Sequence, residues 1–251
     1  MSDHEENFST VLLRINSRYR TQDSLSATDF YYQLGTSAVV DSVYRIALTR
    51  FNCLYMFPNI ELTNNTLVTS VGTVVVPVGQ YTAAQLAVLL VGVGGTFTMN
   101  ETLNKFEFTA STTVTINPNN PLNTLARYLG ITKPISAVAS DVVVADTFPN
   151  LGGPKCIYVE SPNICQSNCL DGNPDSGGFL PLLEVIPLAG TPYGFVINYH
   201  TNDLVSSDID FRKAITLRRI HIRLTDSHTN ALTLPPNQEV DIVLKVFYKS
   251  Q

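Results

Sequence analysis

Four cysteines could bind a metal ion if their spacing brought them together. Cys165 and Cys169 are separated by three residues in the polar segment SPNICQSNCLDGNPDSGG, whereas Cys53 and Cys156 lie far from them in the sequence. Structural zinc sites usually show paired short spacings of cysteine or histidine, and no histidine stands close to this pair. We therefore expect free thiols and no metal site.

The histidines do not form a catalytic pattern. Metal-dependent enzymes built on a double-stranded β-helix need two histidines one residue apart on a strand, followed by a carboxylate. The segments YHTND and IHIRL offer a single histidine each, His200 and His221. The chain also lacks the G-x-S-x-G sequence that presents a nucleophilic serine in a strained turn. These patterns favour a protein that is not an enzyme.

Two further segments resemble sites but have simpler explanations. Asp208 and Asp210 share one face of a predicted strand, as the paired carboxylates of hydrolases do, but no third partner accompanies them. The segment GVGGTF has Phe97 where a dinucleotide-binding loop needs its third glycine, and it follows a predicted helix instead of a strand. A solvated strand edge and a helix end explain these segments, and no cofactor is indicated.

Basic residues occur in two groups, although the chain carries a net charge of −5. The groups are Arg14, Arg18 and Arg20 near the amino terminus, and Arg212, Lys213, Arg218, Arg219 and Arg223 near the carboxyl terminus. Dedicated nucleic-acid-binding proteins show a strong excess of positive charge, and proteins that bind single strands interleave aromatic residues with it. Neither feature is present, so we expect these cations to meet acidic patches of neighbouring proteins.

Period-two alternation dominates the elements that would position these residues. In RRIHIRLTD, Ile220, Ile222 and Leu224 alternate with polar residues, and VDIVLKVFY places Val240 and every second residue after it on one side. This is the pattern of antiparallel strands with one buried face. Segments rich in glycine, proline and asparagine separate the strands, which is typical of a β-sandwich or barrel.

Two segments between the strands predict helices. Residues 81–93 have Thr82 as an N-cap and end at Gly94 and Gly95. Residues 121–131 place Leu125 and Leu129 on one side and end at Gly130. The fold class we predict is therefore all-β with a segment that contains helices.

Length and composition limit the function further. A chain of 251 residues can bury a large core without a disulfide or a metal ion. Charged residues make up 15% of it, against about a quarter in typical domains, so we expect much of its surface to contact other protein. No apolar run reaches about 18 residues, so no membrane span is expected. The acidic start MSDHEENFS is unlike a secretory signal and predicts synthesis inside a cell.

The order of these features, from about Val11 to Tyr248, resembles one family. The segments are INSRYRTQDSLSATDFYYQL, RIALTRFNCLYMFPNIE, GQYTAAQLAVLL, LNKFEFT, LARYLGI, IYVESPNI, ITLRRIHIRLTDSHTNALTL and VDIVLKVFY. The short motifs within them are Pro58-Asn59-Ile60, Gly79-x-Tyr81-Thr82, Leu129-Gly130 and Asp226. This order resembles the penton or minor capsid proteins of large icosahedral DNA viruses, virophages and polinton-type elements.

The resemblance implies a single jelly-roll β-sandwich of two antiparallel sheets and a structural role in a capsid. It implies a homopentamer at the five-fold vertices of an icosahedral double-stranded DNA virus, located in the virion and assembled inside the host cell. The expected partners are further copies of the chain, trimers of a double-jelly-roll major capsid protein and other minor capsid proteins. A host receptor or a vertex fibre is a further expected contact, and specific nucleic-acid binding is not.

We expect residues 1–28 to form an extended amino-terminal arm and residues 29–251 to form the jelly-roll capsid domain. Residues 55–155 are long for a jelly-roll loop and are either an insertion or a part of the sandwich. The arm is expected to contact neighbouring subunits through Leu12, Leu13, Arg14, Arg18 and Arg20. Its deletion is expected to leave a folded domain that is poorly incorporated into capsids.

A second interpretation also fits a jelly roll. A lectin-like or receptor-binding module, acting as an attachment protein, would recognise a glycan or a receptor through its loops. A stable monomer that binds sugar tightly would favour it.

Overall fold

The structure is a computed structural model that describes residues 8–165, 169–170, 179–188, 190–201, 208–226, 230–235 and 237–249. The chain forms two compact units. The sandwich unit contains Met1–Phe57 and Pro154–Gln251, and the inserted unit contains Pro58–Gly153.

Strands are the main regular element among the described residues. In chain order these are β1 (Ser9–Asn16), β2 (Asp29–Gln33), β3 (Val40–Leu54), β4 (Thr66–Val68), β5 (Thr73–Val75), β6 (Gly95–Asn100), β7 (Lys105–Ala110), β8 (Val114–Ile116), β9 (Ile135–Ala137), β10 (Val142–Val144), β11 (Cys156–Glu160), β12 (Cys169–Leu170), β13 (Phe179–Leu180), β14 (Leu182–Pro187), β15 (Val196–His200), β16 (Ile209–Leu217), β17 (Arg219–Thr225) and β18 (Val240–Tyr248). The α-helix α1 spans Ala83–Leu89, and short 3-10 turns span Ser17–Tyr19 and Thr36–Ala38.

The sandwich unit has the strand order of a jelly roll. One sheet has the order β1-β18-β3-β15, with β16 also paired to β3, and the other has the order β14-β11-β17-β2. Numbered along the chain, the eight main strands are β1, β2, β3, β11, β14, β15, β17 and β18. The first pairs with the eighth, the second with the seventh, the third with the sixth and the fourth with the fifth, all antiparallel. A long hairpin rolled into two sheets has this pairing, so the predicted fold class is confirmed.

The core of the sandwich unit lies between its two sheets. The inward residues of β17 and β18 alternate as predicted, and Ile220, Ile222 and Ile242 are all fully buried. They belong to one cluster with Phe30 and Phe51, so both sheets contribute to a single core. Local periodicity therefore identified the buried face of each of these strands.

The amino-terminal segment differs from the expected arm over residues 9–16. Strand β1 pairs with β18 along its whole length, and the side chain of Ile15 is fully buried in the core. Ser17 is also buried, and its Oγ accepts a hydrogen bond from the Val240 backbone N–H at 2.9 Å. Because alternate residues of a strand face the same side, Leu13 and Ile15 both contact the core. Residues 1–7 lie outside the described residues.

The inserted unit has its own core. It contains the three-stranded sheet β10-β7-β6 and the pairs β4-β5 and β8-β9. Phe97, Phe106 and Phe108 pack together in its core, which also contains Leu86 of α1. No helix in the described part of the chain is long and apolar enough to cross a membrane.

One of the two predicted helices is confirmed. Helix α1 begins after Thr82, whose Oγ1 accepts from the Gln85 N–H, while the Gln85 side chain accepts from the Thr82 N–H. The second prediction, over residues 121–131, is wrong, because that segment forms turns. The Leu125 N–H donates to the Thr66 carbonyl at 2.8 Å, so this segment is hydrogen-bonded to β4. Gly130 still ends the turn, with a φ of +83°.

Candidate functional site

Two of the four cysteines, Cys53 and Cys165, lie in the core of the sandwich unit. Cys53 and Cys165 are buried, and this burial raises the pKa of each thiol to about 12. The thiolate is the reactive form of cysteine, so burial makes these two thiols poor nucleophiles near neutral pH. Among the described residues, no group of three or more histidine, cysteine, aspartate or glutamate side chains could hold a metal ion. The side chain of Cys169 lies outside the described residues.

The predicted acid pair is bound by an arginine. Arg45 on β3 donates from Nε to Asp210 Oδ1 at 2.6 Å and from Nη1 to Asp208 Oδ2 at 3.2 Å. These carboxylates raise the pKa of the Arg45 guanidinium, chiefly through the hydrogen bond with Asp210. The pair therefore joins the start of β16 to β3.

The His221 side chain contacts residues of the neighbouring strand β2. Its Nε2 lies 2.7 Å from Asp29 Oδ1, and its ring stacks on Tyr31 with the centres 4.2 Å apart. The Arg219 guanidinium lies 3.9 Å from the centre of the same tyrosine ring and pairs with Asp23. These contacts hold β17 against β2, so this part of the second basic group is engaged within the chain.

Strands β1 and β2 together form one flank of the sandwich unit, which we call the β1 flank. β1 is an edge strand of one sheet and β2 is an edge strand of the other. A groove of about 310 Å³ joins them and is lined by Arg14, Asn16, Arg18, Tyr19, Tyr32 and Glu239. Within the described residues β1 pairs with β18 alone, so its outer edge faces no further strand there.

The five residues predicted to make subunit contacts all lie on or beside the β1 flank. Leu12 is 67% exposed, whereas Leu13 packs against the edge of the core. Arg14 donates from Nε to Asp241 at 2.8 Å, which raises its pKa, and Arg18 pairs with Glu239 at 3.8 Å. Arg20 donates to the Ser17 carbonyl. The structure thus groups these residues, and it gives Arg14 and Arg18 acidic partners within the same chain.

The opposite flank, which we call the β15 flank, consists of β14 and β15. β14 is the other edge strand of its sheet, and β15 pairs with the last residues of β3, while β16 pairs with the first residues of β3 on the same side. A hydrogen bond between Tyr199 and Glu184 joins β14 and β15. Burial, followed by the nearby Glu184 charge and this bond, raises the pKa of Tyr199. Phe195 and Val196 are exposed at the start of β15, although both are large and apolar.

The β15 flank was not predicted from the sequence. In FVINYH, Ile197 is buried, whereas its neighbours Phe195 and Val196 are apolar and exposed. Two adjacent large apolar residues at the start of a strand place one of them on each side of it, and this was the signal in the sequence for a surface that other protein can cover.

Solved structures from viruses are similar to this chain. The crystal structure of the selenomethionine-labelled mavirus penton protein matches it with a TM-score of 0.51 at 12% identity, covering 95% of this chain and 99% of that chain. This chain has the fold of a known penton protein. The 3.5 Å cryo-EM structure of the Sputnik virophage matches with a TM-score of 0.48 at 14% identity, covering 96% of this chain and 98% of that chain. No protein-family model matches the sequence, and no curated protein matches it.

Proposed function

We propose that this protein is a structural capsid protein, the penton, which forms a homopentamer at the five-fold vertices of an icosahedral double-stranded DNA virus. Its location is the capsid vertex of the virion. Its partners there are trimers of a double-jelly-roll major capsid protein and other minor capsid proteins. Its activity consists of fitting its flanks against neighbouring proteins.

The observation that carries this proposal is the near-complete match to the mavirus penton protein. The match covers 95% of this chain, so both the sandwich unit and the inserted unit lie largely within it. The low fraction of charged residues, 15%, also supports a surface that is covered by other protein. Cys53 and Cys165 lie in the core, the acid pair binds Arg45, and His221 contacts Asp29 and Tyr31, which agrees with a function that needs no catalytic residue.

Within this proposal, Leu12, Leu13, Arg14, Arg18 and Arg20 contribute to subunit contacts. Leu12 offers exposed apolar area beside Val11 and Tyr248, in a groove of about 460 Å³. Arg14 and Arg18 are exposed and already paired with acids, so a neighbouring surface need not supply a charge to them. Such residues can stack on an aromatic side chain of a neighbour without leaving a charge unpaired.

Native mass spectrometry of the purified chain tests the proposal. We expect a species of five chain masses, with five-fold rings in negative-stain images. Co-expression with the major capsid protein should place that ring at the vertices of particles. A monomer that forms no ring under any of these conditions, and that binds a glycan tightly, would contradict the proposal and favour an attachment module.

A further inference from the structure

The two flanks of the sandwich unit are opposite edges of the same sheet, and their residues lie in shared rows. Asn16 of β1 is opposite Asp241 of β18, Asp241 is opposite Asn52 of β3, and Asn52 is opposite Asn198 of β15. Each step is one strand spacing of about 4.8 Å, so this row crosses the sheet in about 14 Å. Residues on the two flanks can therefore be placed at equal heights along the strands.

Strand direction allows these edges to meet between copies. β1 is antiparallel to β18, β18 to β3, and β3 to β15, so β15 runs opposite to β1. A rotation about an axis along the strands leaves strand direction unchanged. The β15 edge of one copy and the β1 edge of the next are then antiparallel, which is the arrangement found throughout this sheet.

We propose that the pentamer closes head to tail, with the β15 flank of each copy seated on the β1 flank of the next copy. This inference rests on the proposed function and names the surfaces that carry it. The occupant of the groove on the β1 flank is thus a second copy of this chain. A contact between different flanks repeats around a ring, whereas a contact of one flank with itself ends after two copies.

The rows predict which residues meet. In a ring whose axis runs along the strands, which is part of the proposal, the end of β15 lies at the height of Arg14 of the next copy and the start of β15 lies just beyond its Asn16. His200 then faces Arg14 of the next copy, and Phe195 faces its Arg18 and Tyr19. Phe195 is 63% exposed and Tyr19 is 70% exposed in the single chain.

The chemistry of these residues fits such a contact. Tyrosine and arginine are enriched among the residues that dominate binding energy at interfaces, and an arginine over an aromatic ring adds a cation–π attraction. The Arg18 charge is balanced by Glu239 and the Arg14 charge by Asp241. An apolar side chain such as Phe195 can therefore cover this groove without isolating a charge.

Two single substitutions, one on each flank, test the direction of the contact. Tyr19→Asp alters the β1 flank, and Phe195→Asp alters the β15 flank. We expect each variant alone to be monomeric, because each altered contact is weakened by about thirtyfold or more when a dominant residue is lost. An equimolar mixture is expected to give dimers and no rings, because the β15 flank of Y19D and the β1 flank of F195D remain intact and form one contact.

Phe148→Asp is the matched control, because Phe148 lies in the inserted unit and is 64% exposed, close to the exposure of Phe195. We expect this variant to form pentamers, and circular dichroism should show all three variants folded. Rings from either flank variant alone, or a mixture that stays monomeric, would overturn the head-to-tail contact while the wild-type pentamer stands. A wild-type chain that forms no ring would instead contradict the proposed function itself, and this inference with it.

Discussion

Strand β1 provides the sharpest test of the fold. Shortening a side chain lowers stability where that side chain is buried in the sandwich, and it has little effect in a polar arm. Ile15 is fully buried in the core between the sheets, whereas Leu12, three residues earlier on the same strand, is 67% exposed. The perturbation is Ile15→Ala, and Leu12→Ala is its control. Both remove an aliphatic side chain from one strand, so the comparison isolates burial.

The expected magnitude follows from that burial. Truncating a fully buried isoleucine to alanine costs about 2–5 kcal/mol, because transfer free energy is lost and a cavity remains. Truncating an exposed leucine changes stability by about 0.5 kcal/mol or less. For a chain of this size each kcal/mol corresponds to about 2–4 °C in Tm, so we expect Ile15→Ala to lower Tm by about 4–20 °C.

Urea denaturation followed by circular dichroism measures both variants. Total stabilities of about 5–15 kcal/mol make a loss of this size easy to detect. Deletion of residues 1–16 should be more severe and prevent the sandwich unit from folding, because it removes β1 and all its pairing with β18. This expectation replaces the one drawn from the sequence alone, in which the domain folds without its amino-terminal segment. If Ile15→Ala unfolds at the same urea concentration as Leu12→Ala, or if the deletion variant folds normally, β1 is not part of the core.

Three further predictions concern local features. Thr82→Ala should destabilise the inserted unit by about 0.5–2 kcal/mol in urea denaturation, because it removes the cap of α1, and Thr82→Ser should restore most of the loss. Cys53 and Cys165 should resist maleimide near neutral pH and react after unfolding, as mapped by mass spectrometry. Burial raises the pKa of each thiol from 9.0 to about 12 in the folded chain. The contribution of the two protonated thiols to the free energy of unfolding is therefore complete below about pH 9 and is lost as pH rises toward 12. A free energy of unfolding that increases above about pH 9 would contradict this. Gly130→Ala should lower Tm, because at φ +83° a Cβ costs about 1–2 kcal/mol and would clash with the Thr147 carbonyl, whereas Gly152→Ala, with open space at its Cβ, should not.

Local patterns were sufficient where the deciding interactions are between near neighbours in the sequence. The buried faces of β17 and β18 follow from alternation at Ile220, Ile222 and Ile242, because side chains alternate sides along any strand. The start of α1 follows from Thr82 and Gln85, which bond to each other across one turn. The exposed arginines of the β1 flank were likewise recognisable as polar residues.

Long-range contacts decided the rest. The second predicted helix does not form; its segment makes turns, and the Leu125 N–H donates to the carbonyl of Thr66, a strand residue far away in the sequence. Strand β1 was predicted to be part of an arm, because the alternation of a single strand shows which face is buried but not which strand lies beside it. Tyr19 and Phe195 were not recognised as surface aromatics for the same reason.

The sequence by itself determined the class of the fold, the strand-rich composition and the low charge of the surface. The tertiary structure decided that Asn16 and Asn198 lie in one row, and it thereby defined two flanks at opposite edges of one sheet. The physical reason is that side-chain periodicity is set within a strand, whereas strand pairing is set by backbone hydrogen bonds between distant segments that compete for the same partners.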